Sequence, residues 1–287
     1  MKYSVFTAST PDWTPAEAAQ TLAAQGWDGI EWRITDQDEA TPPGFWAGNR
    51  ATWPMTGLED HLVQIREITT ANHLEFSGIG GYAQLENRVD AERMLAATAA
   101  VGATQVRIAM PRVDGRNYAD LFAQARTNLE YIVAVAEKHG VKALVELHHE
   151  TITPSASAAR RLVEGLNPQF VGVIHDVGNL VNEGFENHLA GFQLLGEYLA
   201  HVHIKNARWV VDHVEQDGTH IWRHEWTTLR AGQADLAGYV RDLVAFGYDG
   251  WITLEDFSTE VPLEQRTAEN LAYVRGLVEA AQAGSRD

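Results

Sequence analysis

Cysteine is absent from the 287 residues, which excludes disulfides and thiolate metal sites and leaves carboxylates and imidazoles to hold any metal. Positive charge is scarce. Lys and Arg number 22 against 39 Asp and Glu, a formal net charge of −17, and lysine occurs only at positions 2, 138, 142 and 205. So acidic a chain has no electrostatic grip on phosphate backbones or anionic lipid, and neither nucleic acid nor membrane is an expected partner. No run of about 18 apolar residues occurs, and the opening MKYSVFTASTPDWTP lacks a basic stretch followed by an apolar one. The expected location is therefore cytoplasmic. A Ser/Pro-rich linker and low-complexity tracts are also missing, so the chain reads as one domain over 1–281 with a frayed tail at 282–287.

What is present is a 45% hydrophobic, 21% charged composition, ample for a core. It is arranged as short β-branched or aromatic runs alternating with longer amphipathic ones. The short runs are 2–8, 28–33, 74–80, 104–110, 141–148, 170–176, 199–205 and 251–257. Helical spacing is clearest over 118–136, where Tyr118, Leu121, Phe122, Ala125, Leu129, Ile132, Val133 and Ala136 share one face. Capping boxes at Thr14 to Glu17 and Thr56 to Glu59 predict two helix starts. Eight strands each followed by a helix predict an α/β fold, a single-domain (β/α)8 TIM barrel with its active site at the C-terminal ends of the strands. The competing doubly wound sheet would want a Gly-rich phosphate turn after its first strand, where STPDWTP stands instead.

Two loops are longer than a barrel needs, 34–56 and a Trp-rich stretch at 206–232 after the seventh strand. Trp13, Trp46, Trp53, Trp209, Trp222 and Trp226 then fall on the predicted catalytic face. They either stack on a sugar ring or aryl group, or pack the loops down.

Side chains alternate across a strand, so Leu144, Glu146 and His148 point to the barrel axis, as do Ile174 with Asp176, His201 with His203 and Lys205, and Thr253 with Glu255. Singly each has a plain structural explanation: a buried ion pair, a helix cap, a satisfied core histidine. Together they gather three carboxylates and an imidazole at one height on adjacent strands, and a divalent cation is the simplest partner for such a group. One nitrogen, several oxygens and no sulfur suit Mn²⁺, Mg²⁺ or Co²⁺, with Zn²⁺ admissible. Glu31, Arg33, Arg107 and Lys205 also face inward by parity and are candidates for binding sugar hydroxyls, or else form a structural ion-pair network.

The strings VELHH, IHDVGNLVNEG, HVHIKNARW and TLEDF, in this order on the fifth to eighth strands, resemble the xylose isomerase-like barrel superfamily. The resemblance is to its sugar-phosphate isomerase/epimerase branch, which includes ketohexose 3-epimerases and inosose-processing enzymes. It implies Glu146, Asp176, His203 and Glu255 as metal ligands, with Mn²⁺ the first choice, and the two glutamates as an acid/base pair on opposite faces of the substrate. Two positions depart from the epimerase pattern: Asn179, a candidate substrate contact, stands for a histidine, and Trp209 for an arginine. His148 occupies the place where xylose isomerase has a lysine near the substrate carbonyl, and is read as an auxiliary acid or base.

The function this implies is a divalent-metal-dependent isomerase or epimerase of a free sugar, keto-sugar or cyclitol, acting by proton abstraction next to a carbonyl. The alternative is a lyase that cleaves a 3-keto-glycoside or C-glycoside by the same enolisation, with Trp222 and Trp226 against the sugar or its aglycone. The expected partner is a small carbohydrate; a homo-oligomer is open, as is a second subunit under the lyase reading. A Schiff-base aldolase would use Lys205 but leaves the four ligand positions unexplained. An apurinic endonuclease needs more histidines and a basic track, and an inert sugar-binding subunit would not keep a complete ligand set.

Overall fold

A computed structural model describes residues 1–183 and 185–284. Eight parallel strands, β1 (Lys2–Phe6), β2 (Gly29–Ile34), β3 (Glu75–Gly81), β4 (Gln105–Arg107), β5 (Lys142–Glu146), β6 (Val171–Asp176), β7 (Leu199–Ile204) and β10 (Trp251–Leu254), close into a barrel in which β1 pairs with both β2 and β10. They coincide with the eight sequence runs, several stopping two or three residues short where the chain leaves for the catalytic-face loops. The described helices are α1 (Pro15–Gln25), α2 (Leu62–Ala71), α3 (Arg88–Val101), α4 (Tyr118–His139), α5 (Ala156–Val163), α6 (Val177–Glu183), α7 (His188–Leu195), α8 (Leu236–Phe246) and α9 (Leu263–Gly284). None among the described residues is long and apolar enough to cross a membrane.

The pleat sorts each strand into two rows. Val5, Ile30, Trp32, Val106, Val145, Val173, Val202 and Ile252 join the main core together with Leu121, Ala125, Leu129, Ile132 and Ala136 of α4. The opposite row turns Phe6, Glu31, Arg33, Arg107, Glu146, Asp176, His203 and Glu255 inward, all buried. The barrel interior is thus a charged layer rather than an apolar one. Glycine makes room for it at one close approach: a Cβ at Gly80 would overlap Phe6 Cε2 and lie 2.6 Å from Cζ. Phe6 in turn stacks on His203, ring centroids 5.9 Å apart. Gly80→Ala is therefore expected to destabilise the fold by about 1–3 kcal/mol, the usual effect of overpacking; a denaturant midpoint equal to wild type would show that Phe6 has room to move.

Thr14 caps α1 with the full reciprocal box, Pro15 filling its first position. The second expected box does not form. Thr56 spends its backbone N–H and hydroxyl on Asp36, at 2.9 and 2.7 Å, and the short 3-10 turn Leu58–His61 starts from Gly57 with no side-chain cap. Glu59 pairs with Arg93 instead, at 2.9 Å. Tertiary partners outcompete a local cap worth about 1 kcal/mol.

The stretch after β7 is not an irregular loop. β8 (Asn206–Val214) and β9 (His220–Thr227) form an antiparallel hairpin, closed by Asp217-Gly218 with Gly218 at φ +87°. An Asp-Gly pair between β-branched and aromatic runs is the strongest short-range hairpin signal in a sequence. At the C-terminus α9 runs on to Gly284, and residues 285–287 of the expected tail lie outside the described residues.

Candidate metal centre and active-site cavity

β5, β6, β7 and β10 end side by side, with Asp176 in register with His203 and the Glu255 backbone bonded to Ile204. His203 Nδ1 lies 3.7 Å from Glu146 Oε1, 3.9 Å from Asp176 Oδ2 and 3.8 Å from Glu255 Oε1, and has no hydrogen-bond partner. One ligand atom from each of the four lies within 4.8 Å of the others. A cation with bonds of about 2.0–2.2 Å holds its ligand atoms roughly 3–4.4 Å apart, and the three distances from His203 Nδ1 lie in that range. Among the buried carboxylates, Glu146 pairs with Arg107, Asp176 and Glu255 pair with Lys205, and Glu31 meets His201 and His203.

The surroundings set each protonation state. Burial would raise Glu146, but the Arg107 guanidinium 2.8 Å away holds it well below the usual carboxylate range. Asp176, fully buried, is pushed up to about 7 by burial, with the charges of Glu255 and Glu146 adding to it against Lys205. Burial would depress His203, and the charges of Glu31 and Glu255 outweigh it, so its imidazole is raised well above the ordinary value. Lys205 bridges Asp176, at 2.7 Å, and Glu255; despite burial those carboxylates raise its pKa and keep it an ammonium. That opposes a Schiff-base role, which needs the free amine.

Above the cluster opens a cavity of about 550 Å³. Arg107, Glu146, His148, Lys205 and Glu255 line it, with the rings of Trp46, Tyr82, Trp226 and Phe257 and the segment Ile108–Met110. His148 Nδ1 lies 2.7 Å from the His149 carbonyl oxygen, which only accepts, so Nδ1 carries the hydrogen and Nε2 keeps its lone pair. Burial lowers its pKa to about 4, which leaves it neutral around pH 7.

Four expected substrate contacts are not on the cavity wall. Glu31 is 1% exposed beneath the cluster, accepting from His201 Nε2 at 2.8 Å and His203 Nε2 at 3.1 Å. Arg33 turns to Gln37 and Thr52, both at 3.0 Å, behind Trp46 and Tyr82. Asn179, at the start of α6, donates to the Leu147 carbonyl at 3.0 Å and to Glu146 at 3.3 Å, and so steadies the Glu146 carboxylate. Trp222 is 54% exposed on the outer part of the hairpin, four residues and roughly 13 Å of strand from Trp226. Of the other tryptophans, Trp53 packs edge-on against Trp32 and Trp209 donates to the Val181 carbonyl, so both hold loops down.

Tyr82 and Phe257 went unread in the sequence. The Tyr82 ring lies under the Arg107 guanidinium, 4.2 Å from its centroid, and Phe257 packs with Trp46 and Trp226. Continuing the inward alternation past Gly80 and Glu255 reaches both. Trp226→Ala is expected to raise KM or shift substrate preference with metal still bound, and Trp222→Ala to leave kinetics within about twofold. Equal effects of the two in steady-state assays would overturn this division of the hairpin.

Comparison with known proteins places residues 19–277 within the family described as the xylose isomerase-like TIM barrel. An inosose dehydratase of Bacillus velezensis is 26% identical over 139 residues, 45% of this chain and 46% of that protein. Another, from Geobacillus kaustophilus, is 26% identical over 129 residues, 42% and 41% of the two. The chain thus spans under half the length of the curated relatives it matches. Among solved structures, 3-keto-D-glucoside 4-epimerase from E. coli superposes with a TM-score of 0.70 at 17% identity, covering 96% of this chain and 99% of that one. D-psicose 3-epimerase from Clostridium cellulolyticum H10, solved with D-tagatose, gives 0.72 at 13% identity, with 97% and 99% covered. At these identities the likeness is one of fold.

Proposed function

The chain belongs to the xylose isomerase-like TIM barrel family, and from that premise we propose that it is a divalent-metal-dependent isomerase or epimerase of a free sugar, keto-sugar or cyclitol. The observation that carries the reading is the pair Glu146 and Glu255, which line one cavity from β5 and from the end of β10 with the unpartnered His203 Nδ1 between them at 3.7 and 3.8 Å. Glu146, Asp176, His203 and Glu255 would hold the cation, Mn²⁺ by preference. When bound, it supplies the positive charge that favours removing a proton next to a carbonyl.

The protein's own groups do the rest. Glu146, kept ionised by Arg107 and oriented by Asn179, is the base on one side of the substrate. Glu255, tied to Lys205, is its counterpart on the other. Glu146 keeps the proton it removes, and a proton carried by Glu255 is delivered to the opposite face, which inverts the centre and leaves Glu146 protonated and Glu255 ionised. His148, neutral and with Nε2 free, is the auxiliary acid or base at the wall. Arg107 and Lys205 meet sugar hydroxyls, while Trp226, Trp46 and Tyr82 offer ring faces to the apolar side of the sugar and exclude water.

A lyase acting by the same enolisation is the second reading. The cavity admits it: about 550 Å³ lies well within the roughly 300–1,000 Å³ of small-ligand sites. Similarity to dehydratases, named for an elimination, points the same way.

The test is to incubate the Mn²⁺-loaded protein in D₂O with ketohexoses, inososes and a 3-keto-glycoside. NMR should show deuterium entering at the carbon beside a carbonyl. Sugar recovered with its skeleton intact supports the isomerase or epimerase; released aglycone supports the lyase; no exchange in any of them would sink both.

A further inference from the structure

His203 belongs to two clusters at once. Its Nδ1 faces Glu146, Asp176 and Glu255, and its Nε2 lies 3.1 Å from Glu31 Oε2, the same oxygen that His201 Nε2 approaches at 2.8 Å. Distance alone would admit Glu31, His201 and His203 as a second metal group. Hydrogen-bond partners decide against it. An ionised carboxylate only accepts, so both Nε2 atoms present hydrogens to Glu31.

The far side of His201 gives the same answer independently. Its Nδ1 lies 3.1 Å from Gln105 Nε2, and that amide nitrogen is itself identified by the Ser77 carbonyl 2.6 Å away. An amide nitrogen only donates, so His201 Nδ1 accepts and its hydrogen is on Nε2. Thr253 Oγ1, 3.0 Å from His201 Nε2 and 2.6 Å from Ser4 Oγ, closes the network. Every polar atom of the His201 ring is thereby engaged, and Phe6, stacked on His203 with an interplanar angle of 24°, restrains the second ring. Of the four nitrogens of these two rings, His203 Nδ1 alone is without a partner.

We infer that Glu31, aligned by Gln105 through His201, is a positioning residue that fixes the hydrogen of His203 on Nε2 and aims Nδ1 at the carboxylates. The inference rests on the metal reading proposed above and adds a residue that touches neither cation nor sugar. Carboxylates that orient a metal-binding imidazole in this way are typically worth 10–100-fold in metal affinity.

Mn²⁺ titration calorimetry on wild type, Glu31→Gln and Glu31→Leu tests it. Glu31→Leu removes the acceptor and should weaken Mn²⁺ binding by about 10–100-fold; Glu31→Gln retains an acceptor oxygen and should recover part of the loss. Wild-type affinity in a Leu variant with native circular dichroism would overturn the inference. Should that variant not fold, imidazole ¹⁵N spectra of the wild-type protein decide, metal-free and Zn²⁺-loaded. A hydrogen on Nε2 of both His201 and His203 is expected, and a His203 Nε2 without one in either state overturns the assignment. Wild-type protein that binds no Mn²⁺ would remove the proposed metal chemistry, while the same spectra would still judge Glu31.

Discussion

Glu146→Gln and Glu255→Gln should each lower kcat by at least about 100-fold, the usual contribution of general acid–base catalysis. The amide keeps the shape and one oxygen of the carboxylate but cannot take a proton at neutral pH. The two variants differ in their secondary effects. Glu146→Gln leaves the buried Arg107 guanidinium, 2.8 Å from the replaced group, without its counter-charge. Glu255→Gln leaves Lys205 with Asp176 at 2.7 Å. Breaking a buried pair by removing one partner is the costlier change, so Glu146→Gln should also show the lower melting temperature. Steady-state kinetics combined with thermal melts separates the two contributions. Full activity in both variants would mean that the proton is taken elsewhere, and His148, neutral and on the cavity wall, is the first group to replace next.

Chelation should have the second large effect. With three buried carboxylates and an imidazole converging within 4.8 Å, removing the cation with EDTA should abolish turnover and also loosen the fold. A ligand that binds only the folded state stabilises it by about 2.7 kcal/mol at a hundredfold excess over Kd. For a chain of this size that corresponds to a drop of roughly 4–5 °C in Tm on chelation. Titrating Mn²⁺ or Co²⁺ back should restore activity and Tm together at one equivalent. A Tm indifferent to EDTA and to added metal, in a protein that still turns over, would leave the four residues as a metal-free ion-pair network.

That these four side chains converge was legible in the sequence because strand geometry is local. A period of two fixes which side chains face the axis, and VELHH, IHD, HVH and TLE each end on the catalytic side, so Glu146, Asp176, His203 and Glu255 could be assigned to one height before any coordinate. The order of strands followed from the alternation of β and α segments.

Depth and reach were decided only in three dimensions. Parity says that Glu31 and His201 face inward, but the pairing of β2 with β3 shifts register after Ile30 and the barrel stagger sets Glu31 under His203 rather than beside a sugar. The same holds for Asn179, whose side chain is drawn to the Leu147 carbonyl and the Glu146 carboxylate across the β5–β6 boundary. In the hairpin, Trp222 and Trp226 share a face by spacing, but Trp226 lies at the barrel end of β9 on the cavity, whereas Trp222, roughly 13 Å further out along the strand, is in solvent. Local periodicity determines which way a side chain points; what it meets depends on contacts between segments far apart in the chain, which no pattern of neighbours encodes.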